Sequence, residues 1–340
     1  MRRIAVIGAG NWGTALSATL ARLGHAVKLW AYEKEVAESI RARHENELFM
    51  PGVVLPESVR ATNDLAEALD GAEIVLTVMP SHVCRSVFEQ MFSSLRPETV
   101  FVSATEGLDT ERLMRMSEVI RSVVGRRFPL RLTVLSGPSF AREVVRGDPT
   151  AVVVASEDHE AAELVQHEFS SKVLRLYTST DVVGVELGGA LKNPIAIAAG
   201  IGDGLGFGAN AKAALITRGV VEMARLGVAM GGKPETFWGL SGLGDLVTTC
   251  LSGRNHWLGQ QLGRGRSLER ALASTPMVIE GVETARAAVA LGRRYRVELP
   301  IIEQVHAILF ERRAPRRALQ ALMRRSGKAE SSSPRSTLLS

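Results

Sequence analysis

Two hydrophobic rhythms divide the chain. Up to about residue 180, short β-branched runs alternate with stretches whose apolar residues recur every three or four positions; beyond it only the second rhythm persists. "RRIAVIGAG" predicts a strand, after which Leu16, Leu20 and Leu23 recur at helical spacing up to a stop at Gly24. "HAVKLWAYE" predicts a second strand. "AEIVLTVMP", "ETVFVSATEG", "RLTVLSGPSF" and "TAVVVAS" predict further ones, with helix-compatible segments between most of them. That order predicts an α/β domain over 1–180 with a mostly parallel sheet and helices on both faces. Each run ends in a polar or glycine-containing loop, and in open α/β sheets ligands sit beyond the carboxyl ends of the strands. From Asp181 the stretches "NAKAALITRGVVEMARLG", "NHWLGQQLG", "SLERALAS", "GVETARAAVALGRR" and "PIIEQVHAILF" predict an all-helical C-terminal domain over 181–325. The polar, serine-rich tail 326–340 is expected to be disordered.

Composition narrows the class. With 340 residues, 46% hydrophobic and 23% charged, the chain is long enough for two globular domains. The longest apolar stretch, 182–201, is interrupted by Glu186, Lys192, Asn193 and Pro194, so it reads as core and no transmembrane segment is expected. Cys84 and Cys250 are far apart and lack metal-ligand spacing, which fits a reducing, cytoplasmic setting and no metal site. The start "MRRIAVIGAGNWGTALSATLA" has the charge and apolar run of a signal peptide, but its glycine spacing argues against one. Net charge is +5, with arginines concentrated in "ERRAPRRALQALMRR". No aromatic residues interleave them, so they read as the solvated face of a terminal helix and not as a nucleic-acid site.

"GAGNWG" places Gly8, Gly10 and Gly13 between a strand and a helix, the setting in which the glycine fingerprint of a Rossmann-type domain is informative. The first glycine permits a tight turn, the second lets backbone approach a pyrophosphate, and the third allows close helix-to-strand packing. Glu33 lies 20 residues after Gly13, where an acidic side chain binds the ribose 2′-hydroxyl of NAD and repels a 2′-phosphate. NADH is therefore the expected preference between NAD and NADP. Tyr32 beside it can pack on adenine or serve ordinary packing.

Lys192 stands in "ELGGALKNPIAIAAGIGDG", one of the least polar helical stretches. Its neighbours three and four places away are Gly188, Gly189, Ile195 and Ala196, so no carboxylate on its own face can pair with it. Such a lysine either snorkels to water or is desolvated and suited to proton transfer. "GLGDLVTTCLSGRN" places Asp245 and Thr249 one helical turn apart, followed by Arg254 and Asn255 after a glycine. Alone, Asp245 is as compatible with a helix N-cap and Arg254 with a surface residue. Together with Lys192 they supply a proton donor, an orienting acid and an anion fork. Reduction of a phosphorylated ketone beside a nicotinamide needs that set.

At this point the chain resembles the NAD(P)-dependent glycerol-3-phosphate dehydrogenase family, to about residue 325. The resemblance is carried by "GAGNWGTAL", "FMPGVVLP", "LSGPSFAREVVRGDPTAVVVAS", "VGVELGGALKNPIAIAAGIGDGLGFGANAKAALITRG", "GLGDLVTTC", "GRN" and "MVIEGV". It implies reduction of dihydroxyacetone phosphate to sn-glycerol 3-phosphate for phospholipid synthesis in the cytoplasm, commonly by a homodimer. It implies that Lys192 is the acid-base residue, that Asp245 orients it, that Thr249 is nearby, and that Arg254 with Asn255 holds the phosphate. Gly137 and Ser139 map to substrate contacts. Asn11, Trp12, Phe49, Ala141, Arg254, Val278 and Glu280 map to cofactor contacts, and Pro194 is expected to kink the helix near Lys192.

Three positions depart from the family pattern. Glu106, in "SATEGLD", stands where a substrate-side lysine is usual. "CLSGRN" is short, with Gly253 in place of a serine. Tyr32 and Glu33 stand where NADPH-preferring members often carry arginine or histidine. Two other readings share the architecture: a non-catalytic NAD-binding regulator, and a dehydrogenase of another hydroxy or keto acid.

Overall fold

The computed structural model describes residues 1–275, 277–327 and 329–330. Most of the tail expected to be disordered lies outside them. The described residues form two compact units, one of 1–109 with 114–186, the other of 110–113 with 187 onward.

The first unit is built on ten strands: β1 Arg3–Ile7, β2 Ala26–Trp30, β3 Val59–Thr62, β4 Ile74–Thr77, β5 Val100–Ser103, β6 Leu108–Asp109, β7 Met114–Arg115, β8 Arg131–Ser136, β9 Thr150–Ala155 and β10 Leu174–Ser179. Eight of them form one sheet in the order β10-β9-β8-β5-β4-β1-β2-β3, parallel except for β8 against β9; β6 and β7 pair as a small antiparallel hairpin. The chain reverses direction across the sheet between β1 and β4. An open α/β sheet binds its ligand at that kind of switch point.

Helices α1 Asn11–Arg22, α2 Lys34–Arg43, α3 Leu65–Leu69, α4 Cys84–Met91, α5 Met116–Val124, α6 Ala141–Arg146 and α7 His159–Phe169 belong to this unit. Side chains of a strand alternate between faces. Accordingly Ile4 and Val6 join a core with Leu16, Leu20 and Ile40, whereas Ala5 and Ile7 join another with Phe88, Ile120 and Phe101. Both sheet faces are buried, which is why the strands read as continuous apolar runs.

The second unit contains most of α8 Val182–Gly204, then α9 Ala209–Ala229, α10 Asp245–Leu251, α11 Arg254–Gly263, α12 Leu268–Leu272, α13 Glu280–Tyr295, α14 Pro300–Phe310 and α15 Pro315–Met323. No strand occurs among its described residues. Its core gathers Ile197, Ile201, Leu258, Leu262, Ala285 and Val305. Contrary to the expectation from sequence, α8 is long and apolar enough to cross a membrane by length and composition. However, 83% of its most apolar window is buried inside the protein. The helix runs on through Pro194, whose nitrogen cannot donate a backbone hydrogen bond.

Candidate active site

The dinucleotide turn is set by close approaches. Gly8 has φ of 118°, and a Cβ there would lie 2.7 Å from the carbonyl oxygen of Val78, at the exit of β4. A Cβ on Gly13 would lie 1.9 Å from the carbonyl oxygen of Gly8, so α1 packs this near the turn only without a side chain. Gly10 is different: nothing lies within 4 Å of its Cβ position. It is also the N-cap of α1, with no side chain capping the helix. An uncapped helix N-terminus beside open space suits a pyrophosphate, so these residues fit a dinucleotide.

Around this turn, Trp12, Phe49 and Ala141 are half-buried and pack against one core. Asn11 opens α1. Asn46, which the sequence did not single out, braces the loop: its Nδ2 donates to the Ala9 carbonyl at 2.7 Å and to Thr14 Oγ1 at 2.8 Å, and its Oδ1 accepts from Phe49 N at 3.0 Å. Those partners span more than thirty residues of sequence, out of reach of local pattern. Tyr32 is 80% exposed. Glu33, half-buried, precedes α2, and its carbonyl accepts from Asn63 Nδ2 at 3.1 Å. Gly137, after β8, has φ of 144° and lies against Val152; Ser139 Oγ donates to its carbonyl at 2.8 Å. Glu106 is half-buried in the loop after β5.

In the second unit Lys192 does not snorkel: it is 4% exposed, and its Nζ donates to Asp245, which is 3% exposed. The other carboxylate oxygen of Asp245 accepts from Thr249 Oγ1 at 3.3 Å, one turn along α10. Asp245 is therefore not a cap; Gly244 occupies that position and makes no side-chain hydrogen bond. The delivery of Asp245 has a simple cause. A Cβ on Gly188 would lie 2.5 Å from the carbonyl oxygen of Ser241, so the π-helical turn Leu240–Gly244 rests directly on α8. The carboxylate that Lys192 lacks on its own helix face thus arrives from 53 residues later.

Beside that pair, Asn193 Oδ1 accepts from Asn255 Nδ2 at 2.8 Å, and Asn255 Oδ1 accepts from Gly281 N at 2.9 Å. Asn193 is a further residue that sequence reasoning passed over, although its place next to Lys192 was a signal. Arg254, the first residue of α11 after Gly253, is exposed. Among the described residues its guanidinium has no hydrogen bond or ion pair, so it is a free anion fork. Val278 is exposed and Glu280, half-buried, opens α13. The structure thus brings Lys192, Asp245, Thr249 and Asn255 together within the helical unit, with Arg254 next to Asn255. It gathers the glycine turn, Trp12, Phe49 and Ala141 in the sheet-bearing unit.

Comparison with known proteins also divides the chain into two parts. Residues 3–162 match the family model of the NAD-dependent glycerol-3-phosphate dehydrogenase N-terminus, and residues 181–320 that of its C-terminus. The chain is 55% identical over 334 residues to a glycerol-3-phosphate dehydrogenase [NAD(P)+] of Koribacter versatilis, covering 97% of this chain and 99% of the relative. It is 51% identical over 330 residues to that of Geobacter sulfurreducens, covering 96% and 98%. Among solved structures, the glycerol-3-phosphate dehydrogenase of Coxiella burnetii superposes with a TM-score of 0.91 at 40% identity, covering 95% of this chain and 99% of that one. A glycine turn fit for a dinucleotide, a buried lysine–aspartate pair and a match over both halves converge: the chain belongs to the NAD-dependent glycerol-3-phosphate dehydrogenase family.

Proposed function

We propose that this chain interconverts dihydroxyacetone phosphate and sn-glycerol 3-phosphate with NAD(P)H, and that Lys192 moves the proton. The enzyme class follows from the family and from relatives at half identity or better. The observation that carries the residue assignment is the buried Lys192–Asp245 pair. Reduction of the ketone adds a hydride to carbon and a proton to oxygen. Gly8, Gly10 and Gly13, with Asn11, Trp12, Phe49 and Ala141, would hold the dinucleotide, which when bound would supply the hydride; the family resemblance adds Val278 and Glu280 as cofactor contacts.

The chain's own residues do the rest. Lys192 Nζ gives its proton to the carbonyl oxygen in reduction and takes it back in oxidation. Asp245 fixes the ammonium, and Thr249 fixes Asp245. Arg254 and Asn255 hold the phosphate; the family resemblance adds Gly137 and Ser139 as substrate contacts. A regulator without turnover has no use for a desolvated acid-base lysine, and an unphosphorylated substrate has no use for the arginine fork. The test is NADH oxidation with dihydroxyacetone phosphate against a panel of keto acids. Turnover confined to the phosphorylated ketone is expected; preferential use of a keto acid would refute the substrate assignment.

Three finer points belong to the same reading. Glu33 supports NADH over NADPH, because a carboxylate at the ribose opposes a 2′-phosphate. The product serves glycerophospholipid synthesis, and both cysteines are buried and unbonded, in keeping with a reducing cytoplasm. The homodimer implied by the family resemblance is checked by light scattering.

A further inference from the structure

Helices α8 and α11 meet backbone to backbone. A Cβ on Gly200 would lie 2.0 Å from the carbonyl oxygen of His256, and one on Gly259 would lie 2.1 Å from that of Ile197. This interlock sets the distance between the helix that carries Lys192 and the first turn of α11, which carries Arg254 and Asn255. That contact seats the middle of α11 on α8, and the first turn, ahead of Gly259, is held by further groups.

Two polar anchors hold that first turn. One is Asn255 on Asn193. The other is His256, which is 6% exposed and has no part in the chemistry described above. Its Nε2 lies 2.7 Å from Asp203 Oδ2, near the end of α8, and Lys212 Nζ of α9 donates to the same oxygen at 2.8 Å. Burial by itself would raise the Asp203 carboxyl, but the hydrogen bonds from Lys212 and His256 outweigh it and hold the group below the usual range, as a fixed anion. A buried imidazole on a carboxylate is a poor way to gain stability, since apolar packing of the same volume avoids the desolvation. It is a good way to fix an orientation.

We propose that Asp203 and His256 are positioning residues for substrate phosphate: their hydrogen bond sets the rotation of the first turn of α11 and hence where Arg254 and Asn255 present their donors. Consecutive helical residues point about 100° apart, so Asn255 and His256 pin the turn on two sides. Gly253, with φ of 100°, precedes the turn and is the pivot about which it would move if the second pin were lost. This inference rests on the reading of Arg254 and Asn255 as the phosphate clamp.

The experiment compares kcat/KM for dihydroxyacetone phosphate and for unphosphorylated dihydroxyacetone in the parent, His256→Phe, His256→Gln, Asp203→Asn and Arg254→Ala. His256→Phe should lower the ratio of the two by about 10-fold, chiefly through KM for the phosphorylated substrate, the scale of one hydrogen bond to a charged group. His256→Gln, whose amide can still donate to Asp203, should recover most of it. Asp203→Asn, nearly isosteric, should shift the ratio in the same direction and serves if the phenylalanine variant does not fold. Equal losses on both substrates, or an unchanged ratio, would overturn the assignment. Arg254→Ala separates the two claims: an unchanged ratio there refutes the clamp itself, whereas a collapsed ratio there with none in the His256 and Asp203 variants refutes only the positioning role.

Discussion

Lys192 and Asp245 are both almost wholly buried, and each is the other's counter-charge. Burying either charge unpaired would cost several kcal/mol. This single contact therefore carries a catalytic and a stability consequence. Replacing Lys192 with methionine should cut kcat by roughly 100-fold or more, the scale of general acid-base catalysis, while calorimetry still detects NADH binding. The same variant strands Asp245 and should lose about 3–5 kcal/mol of stability, read as a lowered denaturation midpoint. Near-parental turnover would show that another group moves the proton. Glu106 makes the opposite kind of prediction. The family resemblance expects a substrate-side lysine at that position, and such a donor to a developing oxyanion is worth on the order of 2.7 to 4 kcal/mol where it has been removed from other enzymes. Glu106→Lys should raise kcat/KM for dihydroxyacetone phosphate, with Glu106→Gln intermediate. A parent that is already fast and slows on Glu106→Lys would mean that the glutamate has a use of its own.

Elements show where electrostatics and packing compete. Glu222, on α9, is buried, and its carboxyl accepts from Ile301 N at 2.7 Å and Ile302 N at 3.3 Å, in the first turn of α14. Burial pushes the group up to about 8, against the pull of those two N–H donors. Since the unfolded carboxyl titrates at the ordinary value of 4.5, the folded chain holds a proton that the unfolded chain releases between the two. The group's stabilising contribution is complete below the ordinary value and is lost as pH rises toward about 8. Urea unfolding at several pH values across that window should show this decline, and Glu222→Gln should flatten it. An unaltered slope in the variant would place the titration elsewhere.

At this scale most of the architecture was legible. The apolar runs of β1, β2, β4, β5, β8 and β9 announced themselves because both faces of the sheet are buried. Two strands of the main sheet did not, nor did the short β6–β7 hairpin. β3 and β10 lie at the sheet edges, and β10 has burial alternating at Leu174 and Leu176. Their period-two pattern was present in the sequence, but it is weaker than a continuous apolar run.

For the whole molecule, the legible part of the site was what neighbouring residues encode: the glycine spacing after β1, and Asp245 with Thr249 one turn apart. The illegible part was what the tertiary fold brings together, such as Asp245 onto Lys192, Asn255 onto Asn193 and His256 onto Asp203, each pair more than fifty residues apart. Helix packing at Gly188, Gly200 and Gly259 makes those meetings possible, and a glycine in a helical stretch does not announce which backbone will approach it. Cofactor choice can be read from the stability of the entire chain. A ligand that binds only the folded state stabilises it by RT ln(1 + [L]/Kd), about 2.7 kcal/mol at a hundredfold excess over Kd. Because Glu33 should disfavour a 2′-phosphate, NADH should raise the melting temperature more than NADPH at equal, sub-saturating concentration. Glu33→Gln should narrow that gap by relieving repulsion of NADPH, so the NADPH shift should grow while the NADH shift holds or falls. Equal shifts for the two cofactors in the parent would assign the selectivity to residues other than Glu33, and a larger NADPH shift would reverse it.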